Sequence, residues 1–233
     1  MRLTLLSLCT WTLLLATSRA DDPTKKNIYR SPQAVFQAMK TAMKKLDLAT
    51  YFNLMTEASQ KEVAYEMLSE ATSVILRKND PDIPVQNDRR NRLQAVLNAH
   101  GLTKEKLTRL SLALRKKSRK QHADEYFKVL QGLKKRGELI QELMIAREGE
   151  AMRREMQGFE IKLDEIKTTG NRGLGKMSIT HRGKTRTQTV LFLKEKGGWK
   201  FAMAELQQER RKQDENDLKK VDPKPVRKKP IDK

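Results

Sequence analysis

The chain has 233 residues, a length that suits one or two domains. Its 49 lysine and arginine residues outnumber its 29 aspartate and glutamate residues, and the resulting formal net charge of +20 favours anionic partners. The single cysteine, Cys9, excludes intrachain disulfides and thiolate zinc centres, so a core has to form by packing alone.

The N-terminal stretch MRLTLLSLCTWTLLLATSRA has the three-part plan of a secretory signal peptide. Arg2 precedes an apolar run, and Ser18 and Ala20 are the small residues of a cleavage site. The apolar run of about 14 residues is shorter than the roughly 20 that a membrane-spanning helix needs. We therefore predict that residues 1–20 are a signal peptide and that the protein is exported, either periplasmic or secreted. No transmembrane segment is expected after cleavage, and an uncleaved anchor is the less favoured alternative.

A polar lead-in, residues 21–30, precedes a region that we predict to be helical over residues 31–157. Ser31 is a suitable N-cap with Pro32 at the first helical position. Apolar residues then recur at three- and four-residue steps, as on one face of a helix. The two prolines within residues 79–88 predict a break between helices.

Further signals divide this helical region. Ser59 and Glu62 have the spacing of a capping box, and Thr103 is the predicted cap of a later helix. Residues 115–120 are strongly basic, which suits a helix C-terminus because that end of the helix dipole is negative.

The hydrophobic period changes from about 3.6 residues to about 2 near residue 159, which predicts strands. Residues 158–204 are expected to form an antiparallel meander of about four strands. A slip in the alternation after Leu163 indicates a β-bulge, and Gly197–Gly198 predicts a hairpin turn. The predicted fold class is α+β, with the helical region packed on the concave face of the meander as one compact domain. The aromatic side chains expected in its core or in a pocket are Phe159, Phe192, Trp199 and Phe201.

The last segment, residues 205–233, is charged and ends in VDPKPVRKKPIDK. We predict a helical fringe followed by a disordered basic tail, because the segment has too few apolar residues to form a core.

Residues 170–176, GNRGLGK, match most of a phosphate-binding loop. Such a loop needs Ser or Thr after the lysine to hold magnesium, and a helix whose N-terminus faces the phosphates. Here Met177 follows the lysine, and the sequence continues as a strand. We therefore interpret the segment as a glycine-rich turn between antiparallel strands and predict no nucleotide site.

The sequence offers no clear catalytic constellation. The histidines His100, His122 and His181 are not at metal-ligand spacings, and no nucleophile motif is present. Asp164 lies within a strand pattern near the suspected bulge and is a weak catalytic candidate, although an outward-facing position is the simpler interpretation. We expect no metal site and no cofactor.

Two basic clusters are the candidates for contact with an anionic partner, either an envelope polymer or a membrane surface. The favoured interpretation of the charge as a whole is that it keeps the protein soluble, because it is spread along the chain and not confined to one block. Nucleic acid is not expected, because the chain is predicted to be exported and has few aromatic residues for stacking. The residues of the two clusters are Arg115, Lys116, Lys117, Arg119 and Lys120 in the first, and Arg227, Lys228 and Lys229 in the tail.

Two segments carry a resemblance to a known superfamily. SPQAVFQAMKTAMKKLDLATYFNLMTEASQK resembles the opening of exported proteins of the nuclear-transport-factor-two-like superfamily, and TQTVLFLKEKGGWKFAM is similar to their terminal hairpin. The resemblance implies a cone-shaped α+β fold, here with an expanded helical region over about residues 89–157. Many members of this superfamily are non-catalytic binding modules, whereas the isomerase- and cyclase-like members place an acid inside the cone.

These observations favour an exported, non-catalytic binding or structural module with a basic surface. The alternative is a small-molecule enzyme with an acid inside the cone. A buried acid beside a cavity would favour the enzyme, and a filled apolar interior would favour the module.

Overall fold

A computed structural model describes residues 29–77, 84–148, 158–196 and 198–220. These residues form an α+β fold, as predicted, with eight helices and a four-stranded antiparallel sheet. The helices are α1 Pro32–Lys45, α2 Leu48–Asn53, α3 Glu57–Leu76, α4 Pro84–Ala99, α5 Lys104–Leu114, α6 Arg119–Gln131, α7 Arg136–Glu148 and α8 Met203–Lys220. The strands are β1 Glu160–Thr169, β2 Arg172–His181, β3 Lys184–Glu195 and β4 Gly198–Phe201. The predicted signal peptide and the end of the basic tail lie outside the described residues.

Helix starts follow the local sequence at two of the three positions that carried a capping signal. The Ser31 hydroxyl accepts a hydrogen bond from the Ala34 amide at 3.1 Å, and Thr103 caps α5. The prediction for α3 was wrong, because Thr56 rather than Ser59 is its N-cap. The Thr56 hydroxyl accepts from the Ser59 amide at 3.2 Å, while the Ser59 hydroxyl bonds to the start of α8. A distant contact therefore decides which of the two hydroxyl residues begins the helix.

The apolar residues divide into two clusters. Helices α2 to α7 bury one cluster among themselves, with Leu97, Leu130 and Leu139 fully buried. The second cluster lies between α1 and one face of the sheet. The predicted helical layer on the sheet is thus mainly α1, since most of the remaining helices pack against each other.

The sheet is a meander in the order β1-β2-β3-β4. The pairing of β1 with β2 shifts between Leu163 and Glu165, which confirms the predicted bulge and places Asp164 within it. The β3–β4 hairpin also forms, but its turn is one residue earlier than predicted. Glu195 pairs with Gly198, so Gly198 begins β4 and is not part of the turn as predicted, while Gly197 lies outside the described residues.

A buried polar junction joins α8 to α3. The Glu205 carboxylate accepts hydrogen bonds from the Thr56 and Ser59 hydroxyls, both at 3.0 Å. The Ser59 hydroxyl also accepts from the Ala204 amide at 3.0 Å. Thr56 and Ser59 are fully buried, so these hydrogen bonds satisfy groups that water cannot reach. The helical start of the charged C-terminal segment is therefore anchored, and α8 extends to Lys220.

The two edges of the sheet differ. Backbone hydrogen bonds cover the outer edge of β4: the Trp199 amide donates to Tyr29, the Phe201 amide donates to Leu54, and the Thr56 amide donates to the Phe201 carbonyl. In the described part of the chain β1 pairs with β2 alone, so its outer edge is open.

Candidate anion-binding surface

The glycine-rich segment is a structural element of the sheet. Gly170 has φ of 57° in the tight turn between β1 and β2, a conformation that glycine adopts without strain. Gly175 is buried beneath the bulge, where an added Cβ would lie 2.8 Å from the Glu165 carbonyl oxygen. The segment continues as β2 and not as a helix, so no helix N-terminus faces a phosphate here.

The predicted aromatic residues fill the space between α1 and the sheet. Phe192, Trp199 and Phe201 are buried in the cluster beneath α1. Phe159 is half-buried and packs against the His181 ring, with ring centroids 4.5 Å apart. A cavity of about 10 Å³ lies between α1 and β1, which is room for one water molecule at most. These four side chains therefore act as core, and the cavity beside them is too small for a substrate.

Asp164 does not point into this interior. Its side chain is exposed, and its Oδ2 accepts a hydrogen bond from the Ser178 hydroxyl at 2.5 Å. Placement in the bulge turns the carboxylate toward β2 on the outer surface of the sheet. Asp164 thus lacks the burial beside a cavity that the enzyme alternative requires.

The histidines are in three separate places. His100 lies 3.0 Å from the Glu142 carboxylate, and the His122 ring is 2.6 Å from the Leu114 carbonyl oxygen. His181 stacks on Phe159. Among the residues that the structure describes, no group of three or more His, Cys, Asp or Glu side chains is arranged to hold a metal ion.

The first predicted basic cluster is only partly available to a ligand. Lys117 forms an ion pair with Glu125 at 3.1 Å, and Arg119 pairs with Glu62 and lies over the Tyr65 ring. Hydrogen bonds from Lys117 and Lys128 hold the pKa of Glu125 below its usual value. The exposed side chains without an ion pair to described residues are Arg115, Lys116 and Lys120.

The position of this cluster also differs from the prediction. The run does not close one helix: α5 ends at Leu114, and α6 starts at Arg119 with Ser118 as its cap. Arg119 and Lys120 thus lie at a helix N-terminus, where the helix dipole opposes positive charge. The other predicted cluster, Arg227, Lys228 and Lys229, lies outside the described residues.

A second basic surface is apparent only once the strands are placed. We call the β2–β3 hairpin from Lys176 to Thr189 the basic arm. Every residue of β3 from Lys184 to Thr189 is exposed. Within the described chain, Arg182, Lys184 and Arg186 have no ion-pair partner, in contrast to Lys117 and Arg119. The arm therefore presents uncompensated positive charge.

The two faces of the basic arm have different chemistry. Lys184 pairs with His181 and Arg186 with Ile179, so both cations lie on the face of the Phe159–His181 stack. Residues two apart on a strand are roughly 7 Å from each other, so the two charges form a short row. The other face carries hydroxyls, with Thr180 and Thr185 in contact at 2.8 Å.

A signal for the basic arm was present in the sequence. Residues 166–194 contain seven lysine and arginine residues and no aspartate or glutamate. Residues 106–123 are also free of acids in the sequence and contain seven lysine and arginine residues, but in the fold Glu125 pairs with Lys117 and Glu62 pairs with Arg119. A scan for acid-free segments would therefore have found the basic arm together with the cluster at residues 115–120, and only the ion pairs of the fold distinguish the two.

No described helix is long and apolar enough to cross a membrane. Comparisons with protein-family models, curated proteins and solved structures found no match to this chain.

Proposed function

We propose that this protein is an exported, non-catalytic binding module whose basic arm binds a linear anionic polymer. The observation that carries the proposal is the exposed end of the β2–β3 hairpin within the acid-free segment 166–194, where Arg182, Lys184 and Arg186 have no ion-pair partner among the described residues. The signal-peptide pattern of residues 1–20 supports an extracytoplasmic location, where acidic polysaccharides and other envelope polymers are available. Recovery of an exported chain that begins at Asp21 checks this location, and an unprocessed cytoplasmic chain contradicts it.

The layout of the charges favours a polymer over a small ligand. Arg182, Lys184 and Arg186 are spread along an exposed hairpin and do not converge on a cavity. Each exposed charge contributes little by itself because water and salt screen it. A chain of negative groups that follows the arm engages several cations at once, and their contributions add.

A membrane surface is the less favoured partner. The tip of the basic arm consists of Arg182 and Gly183, and the neighbouring β3 residues are Lys184 and Thr185. It offers no large apolar side chain to enter the headgroup region, which is how interfacial elements add to charge attraction.

The filled interior supports a non-catalytic role. Aromatic side chains occupy the space where an isomerase- or cyclase-like protein would hold its substrate, and Asp164 is on the outer surface. Membership of the nuclear-transport-factor-two-like superfamily remains part of this proposal, and the packing of α1 across one face of an antiparallel meander supports it.

The test compares two triple variants that remove equal charge. Arg182→Gln/Lys184→Gln/Arg186→Gln neutralises the basic arm, and Arg115→Gln/Lys116→Gln/Lys120→Gln neutralises the α5–α6 turn. Binding to polygalacturonate beads is measured from about 50 to about 300 mM salt, because screening shortens the range of charge attraction over this interval. We expect the unaltered protein to lose affinity steeply with salt and the arm variant to be weaker than the turn variant.

Removal of the chain after Lys220 measures the contribution of Arg227, Lys228 and Lys229 in the same assay. Tighter binding to anionic phospholipid vesicles than to the polymer would favour a membrane partner instead. Binding that is independent of salt, equal loss in both triple variants, or no binding at low salt would contradict the role of the arm.

A further inference from the structure

The two edges of the sheet differ in whether their backbone groups are already hydrogen-bonded. The β4 edge is covered by backbone hydrogen bonds to Tyr29, Leu54 and Thr56, whereas β1 pairs with β2 through nine of its ten residues and with no other strand of the described chain. An exposed strand edge is a template for pairing with another strand. The sequence of β1 indicates which strand fits.

The triplet Glu-Ile-Lys occurs twice in β1, at 160–162 and at 165–167, separated by Leu163 and Asp164. When two copies of this strand run antiparallel, Glu160 meets Lys167, Ile161 meets Ile166 and Lys162 meets Glu165. Every charged residue of the two triplets then faces an opposite charge. The same pairs occur twice, because the arrangement is two-fold symmetric.

The bulge makes this register geometrically consistent. Paired residues in an antiparallel sheet point to the same face, and side chains alternate between faces along a strand. In a regular strand Glu160 and Lys167 would therefore lie on opposite faces. In β1 the pairing shifts at Asp164: Glu160 pairs with Thr180 and Lys167 with Leu174, which share one face of β2. The bulge thus brings both triplets into matching orientation.

We propose that two copies of this chain associate through their β1 edges, antiparallel about a two-fold axis between Leu163 and Asp164. The two meanders then join as one continuous eight-stranded sheet. Opposite charges directly across an antiparallel pair strengthen the pairing, and the backbone groups of the free edge gain partners. The two Asp164 carboxylates approach near the axis, and the hydrogen bond from Ser178 draws each one toward its own β2.

Charges and a bulge on an edge strand are also devices by which a monomeric protein prevents such pairing. Any arrangement of charges on the edge would prevent pairing equally well. In β1, however, the charges are arranged so that each one meets an opposite charge when two copies of the strand run antiparallel. The contact between two strand edges is small, which places the dimer in the weak and transient class of interfaces. Dimerisation is therefore measured over a concentration series.

The first experiment reverses charges on the full chain and uses sedimentation equilibrium. Lys162→Glu places a glutamate opposite Glu165 at two positions of the dimer, and we expect association to weaken by at least about tenfold. Adding Glu165→Lys restores the opposite charges between copies. Within one chain this double variant breaks the ion pairs of Lys162 with Glu160 and of Glu165 with Lys176. A rescue by the double variant therefore reports pairing between copies. Failure of the rescue, with both variants folded by circular dichroism, would overturn the proposed register.

The second experiment traps the dimer covalently in a Cys9→Ser background, which has no other cysteine. Asp164→Cys places a thiol beside the two-fold axis, and Thr187→Cys is the control on exposed β3. We expect mild oxidation to link the Asp164→Cys chains faster than the control chains. A monomer mass at every concentration together with equal cross-linking of the two variants would refute the dimer.

Discussion

Gly175 lies beneath the bulge of β1, and its replacement by alanine tests how this part of the sheet is packed. A Cβ at this position would lie 2.8 Å from the Glu165 carbonyl oxygen and 3.0 Å from Leu163 Cδ1. The nearest atom belongs to the backbone of the neighbouring strand, so rotation of a side chain cannot relieve the overlap.

Two opposing effects set the size of the change in the free energy of unfolding for Gly175→Ala. Overpacking of a close-packed site destabilises by about 1–3 kcal/mol. Replacement of a glycine in a strand regains about 0.5–1 kcal/mol of conformational free energy. We therefore expect Gly175→Ala to lower the free energy of unfolding by about 1–2 kcal/mol. For a chain of this size that corresponds to a fall of about 2–8 °C in the melting temperature.

Chemical denaturation followed by circular dichroism measures this change as a shift in midpoint at constant slope. Leu174→Ala is the matched control, because Leu174 is on the opposite face and is 38% exposed. Gly173→Ala is an intermediate case, since its Cβ would first meet a side-chain atom, Pro32 Cγ, at 3.0 Å. A Gly175→Ala protein as stable as the unaltered chain would refute the packing argument.

Two further predictions concern the buried polar junction and the half-buried Tyr51 phenol, which packs against the cluster beneath α1. Ser59→Ala removes the acceptor of the Ala204 amide and a donor to Glu205, and we expect a loss of about 1–3 kcal/mol of stability in denaturant unfolding. Little change is expected for Ser69→Ala, because the half-buried Ser69 makes only a long, solvent-exposed hydrogen bond of 3.5 Å to the Glu66 carbonyl oxygen. Equal stability of the two variants would show that the junction contributes nothing. Burial raises the pKa of Tyr51 from 10.0 to about 12. Because the folded protein holds this proton more tightly than the unfolded chain does, the stabilisation is complete below about pH 10 and is lost as the pH rises toward about 12. The difference between ultraviolet titrations of the unaltered chain and of Tyr51→Phe measures this pKa, and a value near 10 would contradict the burial argument.

Much of the local structure followed from the sequence alone. The change of hydrophobic period located the sheet, Ser31 and Thr103 marked helix starts, and the slip after Leu163 marked the bulge. These features could be predicted because capping and side-chain alternation depend only on residues within three or four positions along the chain. The same local logic excluded a phosphate loop at Gly170 to Lys176.

The tertiary structure decided which of several equivalent local signals is used. Thr56 and Ser59 are both good caps, and contact with Glu205 and Ala204 assigns Ser59 to another role. The basic run 115–120 and the hairpin residues Arg182, Lys184 and Arg186 carry similar charge in the sequence. In the fold, Glu62 of α3 pairs with Arg119 and Glu125 of α6 pairs with Lys117, so part of the first cluster is neutralised. The three hairpin residues have no such acidic partner within the described chain.

The assignment of the interior and of the sheet edges also required the fold. The sequence predicted a bulge after Leu163 and favoured an outward-facing Asp164, and the strand pairing places Asp164 in that bulge, where Ser178 bonds to it on the outer surface. The sequence left open whether the four aromatic residues line a pocket or fill the core, and the packing beneath α1 decides for the core. Likewise the Glu-Ile-Lys repeat is visible in the sequence, but the sequence does not show that β1 is an edge strand. Nor does it show that the bulge places both triplets with their charged side chains on the same face of the sheet. Charge pairing and edge exposure depend on residues far apart along the chain, so local sequence rules do not determine them.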